Sequence, residues 1–323
     1  MRHGYIKTAA ATPYITVADC RANGEEIIRL IREMEKEHTK VMVFPELCIT
    51  GYTCQDLFLQ RRLLDSAWET LMRIAADTAD VDALIFLGVP VRNKGKLYNA
   101  AAVLNRGEIL GLVPKSYLPN YGEFYEQRHF VSGLGCLEFM SINGKKIPFG
   151  TNLLFVCEEL QELIVAAEIC EDLWVNMPPS VIHAQAGANL IVNLSASNEM
   201  VGKDSYRRSL VSGQSARLVC GYVYANAGEG ESTQDLVFGG QNMIAENGSI
   251  LAEGERFKNG IVYSEIDVQR LNDERKRLTT WQSCEDSDHL RIPFHLKMEE
   301  TKLTRQYSRY PFVPSQKSER DLR

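Results

Sequence analysis

Apolar residues recur along this chain with two different spacings, and segments with the two spacings alternate. Residues 5–12, 41–44, 163–169 and 189–194 are short apolar runs of the length of buried strands. Residues 19–36 carry apolar side chains three and four positions apart, the spacing of a helix with one buried face. Alternation of buried strands with amphipathic helices is typical of an α/β protein.

Turn signals extend this alternation over most of the sequence. Asn105-Arg106-Gly107 predicts a hairpin between two strands, and Asn247-Gly248 predicts a second hairpin within residues 242–252. Because hairpins occur beside strand–helix units, we expect a mixed sheet. We predict further strands at residues 83–91, 97–104, 108–114, 222–226 and 261–266, and helices at residues 55–79, 179–187, 204–220 and 267–278.

Two segments lack this periodicity. Residues 116–134 form a loop rich in glycine, proline and aromatic residues, which is long for a structureless connection and therefore predicted to be functional. From about residue 282 the sequence becomes polar, with scattered prolines and charges of both signs. We therefore predict one domain over residues 1–281 and a linker or arm over residues 282–323.

Composition narrows the class of protein. The chain has 323 residues, 45% of them hydrophobic, and a net charge of −6, which gives no reason to expect nucleic acid or an anionic membrane as partner. No apolar run reaches the roughly 20 residues of a membrane span, and we expect no secretory signal. The eight cysteines form no Cys-x-x-Cys pair, and the six histidines do not cluster near them, which argues against zinc. We expect reduced cysteines in a cytoplasmic protein.

Three chemically capable residues stand at the ends of predicted strands, where α/β proteins usually place ligand sites. Glu46 follows the first short strand, Lys115 follows the strand at 108–114, and Cys170 ends the strand at 163–169. A carboxylate beside apolar groups can act as a general base, and an ammonium can stabilise an oxyanion. A thiol at a strand-to-helix turn can be a nucleophile.

Each of the three residues also has a simpler explanation when taken alone. Glu46 could reach solvent, Lys115 could be a solvated charge, and Cys170 could be a buried structural thiol. The acidic neighbours of Cys170, among them Glu171, would raise its pKa and oppose thiolate formation. A nucleophilic Cys170 therefore needs a nearby cation and a base, and Lys115 and Glu46 are the residues that could provide them.

The loop after Lys115 has the composition of a pocket wall. Glu123 and Glu126 could each anchor Lys115 or the amine of a substrate, or pair with Arg128, and the sequence leaves these alternatives open. The aromatic residues among its glycines and prolines are Tyr117, Tyr121, Phe124 and Tyr125.

Three segments resemble, in order, the glutamate, lysine and cysteine boxes of the nitrilase or carbon–nitrogen hydrolase superfamily: FPELCITGY (44–52), VPKSYLPNYGEFYEQRHF (113–130) and EICEDLW (168–174). NLSASNEMVGK (193–203) is similar to the strand that follows the cysteine in this superfamily. The resemblance covers about residues 7–278. The surroundings of the boxes, such as GYTCQDLFLQ, are similar to the glutaminase domains of glutamine-dependent NAD synthetases.

The resemblance implies a fold and a set of roles. The implied fold is an αββα sandwich of two packed sheets. Glu46 is implied as the base, Lys115 as the oxyanion-stabilising cation and Cys170 as the nucleophile, with no metal or organic cofactor. Other residues are implied to bind glutamine or line its pocket: Tyr121, Ser197, Lys203, Tyr52, Trp174 and Glu171. Position 203 is often arginine in the family, and lysine keeps the charge but lacks the bidentate fork.

The resemblance also implies a substrate and partners. Glutamine would be hydrolysed through a cysteine thioester, and its ammonia would amidate nicotinic acid adenine dinucleotide to NAD. ATP and Mg²⁺ are expected only in a synthetase domain, whose Ser-Gly-Gly-x-Asp-Ser loop this sequence lacks. RYPFVPSQ (309–316) is similar to the lead-in to that domain. We expect a homo-oligomer built from nitrilase-type dimers.

Two alternatives remain at this point. The chain could be a stand-alone amidase of the same superfamily that acts on another amide or on a nitrile, although the DLF (56–58) and EDLW (171–174) surroundings favour the NAD synthetase branch. It could instead be a non-catalytic assembly subunit, although the presence of all three catalytic residue types favours an enzyme.

Overall fold

Strands and helices alternate along the chain in the computed structural model, which describes residues 1–233, 235–283, 288–307, 310, 312–314 and 316–321. The strands are Tyr5–Thr12 (β1), Val41–Val43 (β2), Leu84–Asn93 (β3), Lys96–Asn105 (β4), Glu108–Pro114 (β5), Leu137–Ile142 (β6), Lys145–Gly150 (β7), Leu153–Cys157 (β8), Ile164–Ile169 (β9), Leu190–Ser195 (β10), Gly221–Asn226 (β11), Met243–Glu246 (β12), Ser249–Glu253 (β13), Gly260–Asp267 (β14) and Leu290–Phe294 (β15). The α-helices are Cys20–Lys36 (α1), Arg61–Asp77 (α2), Pro179–Gln185 (α3), Lys203–Leu218 (α4), Val268–Arg277 (α5) and Lys317–Arg320 (α6).

The strands form two mixed sheets. The first sheet has the order β14-β1-β2-β3-β4-β5-β7-β6, and the second has the order β13-β12-β11-β10-β9-β8-β15. β1, β2 and β3 are parallel in the first sheet, as are β9, β10 and β11 in the second. The outer strands pair mostly antiparallel with their neighbours. The predicted mixture of parallel and antiparallel strand pairs is confirmed, and the strands form two sheets.

The two sheets pack face to face and carry helices on their outer faces. Phe86 of the first sheet meets Phe155 of the second edge to face, with ring centroids 6.0 Å apart. α1 and α2 cover the outer face of the first sheet, and α3 and α4 cover that of the second. The four-layer αββα sandwich implied by the family resemblance is confirmed.

Burial on both faces explains the continuous apolar runs. β2 and β10 are buried along their whole length, because each lies between the other sheet and a helix layer. One face of α1 is buried, and Ile27, Ile31 and Met34 belong to that face. Asp19 caps it by accepting a hydrogen bond from the backbone N–H of Ala22 at 3.0 Å.

The helix predicted over residues 55–79 is divided in two. A 3₁₀ segment runs over Tyr52–Leu59, and α2 begins only at Arg61, after an extended Gln60. The buried carboxylate of Glu231 accepts hydrogen bonds from the backbone N–H groups of Tyr52 and Thr53, at 2.7 and 3.0 Å. These contacts hold the segment against the domain in a non-α conformation. Because Glu231 lies far along the sequence, local periodicity could not predict them.

Four strands, β6, β7, β8 and β15, were not predicted. β6 and β7 form a hairpin whose turn residues Asn143 and Gly144 both have positive φ, 49° and 79°. Such an Asn-Gly pair is the usual signal for a tight hairpin, so this turn could have been found in the sequence. β6 is an edge strand with partly exposed apolar residues, which obscures its alternation. β8 is short and buried.

The structure differs from the predicted boundary at residue 281. β15 pairs in parallel with β8 at the edge of the second sheet, so residues 290–294 belong to the core sandwich. The sequence hides this strand because it has only five residues and one of them is Pro293, which is unusual inside a strand. Beyond β15 the chain lies against the sandwich, where Arg305 donates to Glu246 at 2.8 and 2.9 Å.

The division into a domain and an arm otherwise stays a prediction. Within the lead-in predicted at residues 309–316, Arg309, Pro311 and Ser315 lie outside the described residues. In the part of the chain that the structure describes, none of the helices combines the length and apolar character needed to cross a membrane.

Gly88 permits a close approach between β3 and the turn that follows β2. A Cβ atom at this position would lie 2.1 Å from the backbone nitrogen of Leu47 and 2.4 Å from the carbonyl oxygen of Pro45. We predict that Gly88→Ala lowers the free energy of unfolding by about 1–3 kcal/mol, because backbone must move to admit the methyl group.

Gly213 provides the matched control for this prediction. It lies on an exposed face of α4, where an added Cβ meets nothing within 4 Å. Gly213→Ala should raise the free energy of unfolding by roughly 0.5–1 kcal/mol, because alanine is the better helix former. Urea denaturation measures both variants, and equal stability of Gly88→Ala and the unchanged chain would contradict the packing argument.

Candidate active site

The two sheets bring the three predicted residues together. Glu46 follows β2 and Lys115 follows β5 in the first sheet, while Cys170 follows β9 in the second. All three side chains are buried. The Nζ of Lys115 donates to Oε1 of Glu46 at 2.6 Å, and the charges of both residues act on the Cys170 thiol. The strand ends that the sequence singled out therefore form one cluster.

Lys115 lies between two carboxylates. Its Nζ donates to Oε1 of Glu46 and to Oε1 of Glu126, each at 2.6 Å. The side chains of Lys115 and Glu46 are fully inaccessible to solvent, and that of Glu126 is 4% exposed. Burial alone would lower the pKa of Lys115, but the charges of Glu126 and Glu46 outweigh it and raise the pKa well above its ordinary value. The ammonium is therefore permanently charged.

Glu46 is held in one orientation by three donors. Its Oε1 accepts from Asn99 Nδ2 as well as from Lys115, both at 2.6 Å. Its Oε2 accepts from the backbone N–H of Ala196 at 2.9 Å, just beyond β10 of the second sheet. A carboxylate bound in this way keeps its position during proton transfer.

Glu126 is the second partner of Lys115, and Glu123 is not. Oε1 of Glu126 also accepts from the hydroxyl of Tyr52 at 2.8 Å, whereas its buried Oε2 has no partner among the described residues. Burial, with a contribution from the charge of Glu46, raises the pKa of Glu126 to about 7. Glu123 instead accepts a hydrogen bond from Asn198.

Arg128, the other partner considered for these glutamates, pairs with Asp56 at 2.7 Å.

Cys170 occupies a strained turn at the end of β9. Its φ is 43°, in the left-handed region that residues with a side chain rarely adopt. Its backbone N–H donates to Oδ1 of Asn193 at 3.2 Å, and a short 3₁₀ turn begins at this residue. Burial raises the pKa of the Cys170 thiol, as do the charges of Glu46 and Glu126, while Lys115 opposes them. The thiol is therefore protonated at rest and needs a base to react.

A cavity of about 440 Å³ opens over Cys170. Of the residues implied to bind substrate, Tyr121, Glu171, Trp174, Ser197 and Lys203 line it. Its other lining residues are Pro119, Glu123, Phe124, Met200, Val201, Gly202 and Tyr206. A volume of this size is sufficient for a small amino-acid-sized ligand.

The cavity wall carries one cation beside aromatic rings. The Nζ of Lys203 lies 5.0 Å from the ring centroid of Trp174 and 5.7 Å from that of Phe124, within cation–π range. The same ammonium donates to the side chain of Asn198, which in turn donates to Glu123. Burial lowers the pKa of Lys203.

Carboxylates stand on the same wall. Glu171 accepts a hydrogen bond from the hydroxyl of Tyr121 at 2.8 Å, and Glu123 lines the cavity close by. Ser197 is held by its backbone N–H, which donates to Asn226 Oδ1 at 2.8 Å. The cavity therefore offers a cation and two acidic groups to a ligand that carries both charges.

Tyr52 is not among the residues that line the Cys170 cavity, and its hydroxyl donates to Glu126. The implied contact of Tyr52 with a substrate therefore stays a prediction.

Sequence reasoning missed several polar side chains that support the site. Asn99 holds Glu46, Asn193 holds the backbone of Cys170, and the buried guanidinium of Arg207 donates to Glu199 at 2.7 Å and to the carbonyl of Asn198 at 2.8 Å. No local signal distinguishes the buried Arg207 from its exposed neighbour in the sequence. Asn193 lies in the segment that resembles the superfamily, but the sequence alone does not show that its side chain binds the backbone of Cys170.

Comparison with known proteins identifies relatives of the whole domain. A model of the family described as carbon-nitrogen hydrolase matches residues 7–276. The chain is 40% identical over 324 residues to the glutamine-dependent NAD(+) synthetase of Mycobacterium tuberculosis (strain ATCC 25618 / H37Rv), covering 97% of this chain and 48% of that protein. It is 34% identical over 265 residues to the glutamine-dependent NAD(+) synthetase of Aquifex aeolicus, covering 81% and 42%. The chain thus spans about half the length of these relatives.

Solved structures agree with these sequence matches. A glutamine-dependent NAD(+) synthetase from Cytophaga hutchinsonii superposes with a TM-score of 0.73 at 33% identity, covering 81% of this chain and 43% of that chain. An amidase from Nesterenkonia sp. superposes with a TM-score of 0.64 at 20% identity, covering 86% and 96%. At that identity the amidase shares the fold alone. These similarities agree with the resemblance read from the three boxes.

Glu126 gives a testable dependence of stability on pH. Its pKa is about 7 in the folded chain and 4.5 for an ordinary glutamate. Between these values the folded state holds a proton that the unfolded state has released, so the free energy of unfolding falls as pH rises. Glu126→Gln removes this dependence. We predict that the stability of the unchanged chain minus that of Glu126→Gln falls by up to about 1.4 kcal/mol per pH unit across this window.

Urea denaturation of both proteins at a series of pH values between about pH 4.5 and 7 checks this prediction. A difference in stability that stays constant across the window would contradict the raised pKa of Glu126.

Proposed function

This chain belongs to the carbon–nitrogen hydrolase family, and we propose that it hydrolyses the side-chain amide of L-glutamine to glutamate and ammonia. One observation carries the proposal: a buried Lys115, held between Glu46 and Glu126, acts on the thiol of a strained Cys170 that lines a cavity. Cation, base and nucleophile are the three groups that acyl transfer from an amide requires.

The charges of the cavity wall support an amino acid as the substrate. A free amino acid carries one ammonium and one carboxylate, and the wall offers Glu123 and Glu171 to the first and Lys203 to the second. The side-chain amide would then extend toward Cys170. A simple nitrile or an uncharged amide would bring no opposite charge to these three half-buried groups, which makes it a poorer ligand for this wall than an amino acid.

Attack and proton transfer occur together in this mechanism. Because burial and nearby carboxylates keep the Cys170 thiol protonated, its proton passes to Glu46 as the sulfur forms a bond to the amide carbon. The carbonyl π electrons move onto oxygen, and Lys115 stabilises the resulting oxyanion. The charge of Lys115 is already present and oriented, so little reorganisation is needed.

Collapse of the tetrahedral intermediate breaks the carbon–nitrogen bond. Protonated Glu46 delivers its proton to the departing nitrogen, which leaves as ammonia, and a glutamyl thioester on Cys170 remains. A water molecule then gives a proton to Glu46 and its oxygen to the acyl carbon. The second collapse expels the thiolate, which recovers its proton from Glu46, and glutamate is released. Neither a metal nor an organic cofactor takes part in these steps.

Glu126 keeps Lys115 in its working state. At pH values above its pKa of about 7, Glu126 is the carboxylate that compensates the ammonium while Glu46 holds the transferred proton. Its hydrogen bond from Tyr52 fixes its own position. Glu126 therefore stabilises the charge of Lys115 at the stage of the reaction when Glu46 is neutral.

The proposal extends to the fate of the ammonia. The relatives are named glutamine-dependent NAD(+) synthetases and are about twice as long as this chain. We infer that the ammonia amidates nicotinic acid adenine dinucleotide in a protein of that length, where a synthetase domain would use ATP and Mg²⁺. We also propose that the protein is cytoplasmic and that it forms a homo-oligomer built from nitrilase-type dimers.

Cys170→Ala tests the nucleophile. We predict loss of ammonia release from glutamine with an unchanged fold, because Cys170 is the group that forms the thioester in this mechanism. Cys220→Ala is the matched control, since Cys220 is an equally buried thiol on the far side of the second sheet. The assay should compare L-glutamine with L-asparagine and a simple nitrile, and glutamine should be preferred. Near-normal turnover by Cys170→Ala would overturn the proposal.

Lys115 and Lys203 should differ in the kinetic constant that they affect. We predict that Lys115→Met lowers kcat by about a hundred- to a thousand-fold with little change in KM, because an oxyanion exists only along the reaction path. Lys203→Met should raise KM by about 10- to 100-fold, as expected for one lost charged hydrogen bond to bound substrate. A rise in KM alone for Lys115→Met would make Lys115 a substrate anchor.

A further inference from the structure

The nucleophile and the cation of this site come from different sheets. Lys115 follows β5 in the first sheet, and Cys170 follows β9 in the second. Backbone hydrogen bonds fix positions within one sheet, whereas apolar side chains join the two sheets. Apolar packing is non-directional, so the position of the Lys115 ammonium relative to the Cys170 thiol depends on polar contacts that cross between the sheets.

The buried carboxylate of Asp172 makes such a contact. Its Oδ2 accepts from the backbone N–H of Ile169, the residue before Cys170, at 2.9 Å. Its Oδ1 accepts from the backbone N–H of Tyr117 at 2.8 Å, and its Oδ2 accepts a longer bond from Ser116, at 3.4 Å. The backbone beside the nucleophile and the backbone beside the cation are thus bound to the same rigid group.

A carboxylate is the side chain that suits these three donors. Its two oxygens can accept all three N–H groups, whereas an asparagine would turn an NH₂ group toward one of them. Asp172 is 2% exposed, so water cannot replace a lost bond. Burial raises the pKa of Asp172, and the backbone N–H groups of Ile169 and Tyr117 oppose this rise because they stabilise the carboxylate.

Glu46 also connects the two sheets at this site, because its carboxylate accepts a hydrogen bond from the N–H of Ala196. Because Glu46 is also the base, its removal cannot separate positioning from chemistry. Asp172 does not line the cavity over Cys170, and its oxygens are bound to backbone groups. Its effect on the reaction must therefore pass through the positions of other residues.

We propose that Asp172 is a positioning residue that holds Lys115 against Cys170 across the two sheets. It acts on the reaction by keeping the ammonium where the oxyanion forms. The inference rests on the proposed function for its substrate, but the contact between the two strand ends exists whichever amide the chain hydrolyses.

The test is a double-mutant cycle with Asp172→Asn and Lys115→Met. One readout is kcat and KM for glutamine. The other is the rate at which iodoacetamide alkylates Cys170, followed by peptide mass spectrometry, which requires no turnover. We expect Asp172→Asn to lower kcat by about 10- to 100-fold, as for a reacting group displaced by about 1 Å, with KM changed less than about threefold. Alkylation of Cys170 should slow about tenfold, because the ammonium that favours the thiolate has moved.

Non-additivity is the decisive result. In the Lys115→Met background, Asp172→Asn should change kcat and the alkylation rate by less than about twofold, because no ammonium is left to position. Additive effects would overturn the proposal, since Asp172 would then act independently of Lys115. Normal kcat and alkylation in Asp172→Asn, with lower thermal stability alone, would also overturn it.

Glu246→Gln is the matched control. Glu246 is a buried carboxylate on β12 of the second sheet that accepts from the N–H of Asp267, at the end of β14 in the first sheet, at 2.7 Å. It pairs with Gly221 at the start of β11, whereas the site lies at the other end of that strand. Glu246→Gln should lower thermal stability and leave both readouts unchanged. A similar loss of kcat there would mean that any cross-sheet tie matters, and would overturn a specific role for Asp172.

A second variant serves if Asp172→Asn does not fold. Asp172→Glu keeps the charge and lengthens the side chain, and it should give a smaller loss of kcat that again disappears in the Lys115→Met background. The two proposals can fail separately. Absence of glutamine hydrolysis with the expected alkylation pattern would contradict the proposed substrate and support the role of Asp172. Glutamine hydrolysis with additive alkylation effects would do the opposite.

Discussion

Lys115 carries a positive charge where water does not reach it, and two carboxylates make this possible. Glu46 and Glu126 each accept a hydrogen bond from its ammonium, and their charges more than offset the cost of burial. The same carboxylates raise the pKa of Cys170, so the thiol stays protonated until a substrate arrives. In the proposed mechanism, this arrangement of charge makes Lys115 the cation, allows Glu46 to act as the base and keeps the Cys170 thiol protonated at rest.

The two-sheet architecture determines where this arrangement can form. The first sheet provides Glu46 and Lys115, and the second provides Cys170 and the backbone N–H of Ala196. Each sheet alone holds an incomplete site. The site therefore depends on the packing between the sheets and on the polar contacts that cross between them. Cys170 lines the cavity, whereas Lys115, Glu46 and Glu126 do not line it and are buried.

The sequence predicted what depends on local pattern, and it failed where distant contacts decide. The bounds of β1, α1 and β5 follow from periodicity and capping, and the three strand-end residues follow from their position after apolar runs. The choice between Glu123 and Glu126 could not be made, because both lie in an aperiodic loop and only the fold shows which one reaches Lys115. β15 was hidden by its short length and its proline. The hydrogen bond from the Tyr52 backbone to Glu231 joins residues far apart in the sequence, so local pattern could not show it.

Cys170 is proposed to form a thioester under the influence of Lys115, and the partitioning of that intermediate between two nucleophiles tests this step. The chain is given L-glutamine or the γ-methyl ester of glutamate, each with the same concentration of hydroxylamine, and the ratio of γ-glutamyl hydroxamate to glutamate is measured. A common glutamyl thioester predicts the same ratio from both substrates, because the leaving group has gone before hydroxylamine or water attacks. Different ratios, or hydrolysis of glutamine without any hydroxamate, would contradict the account.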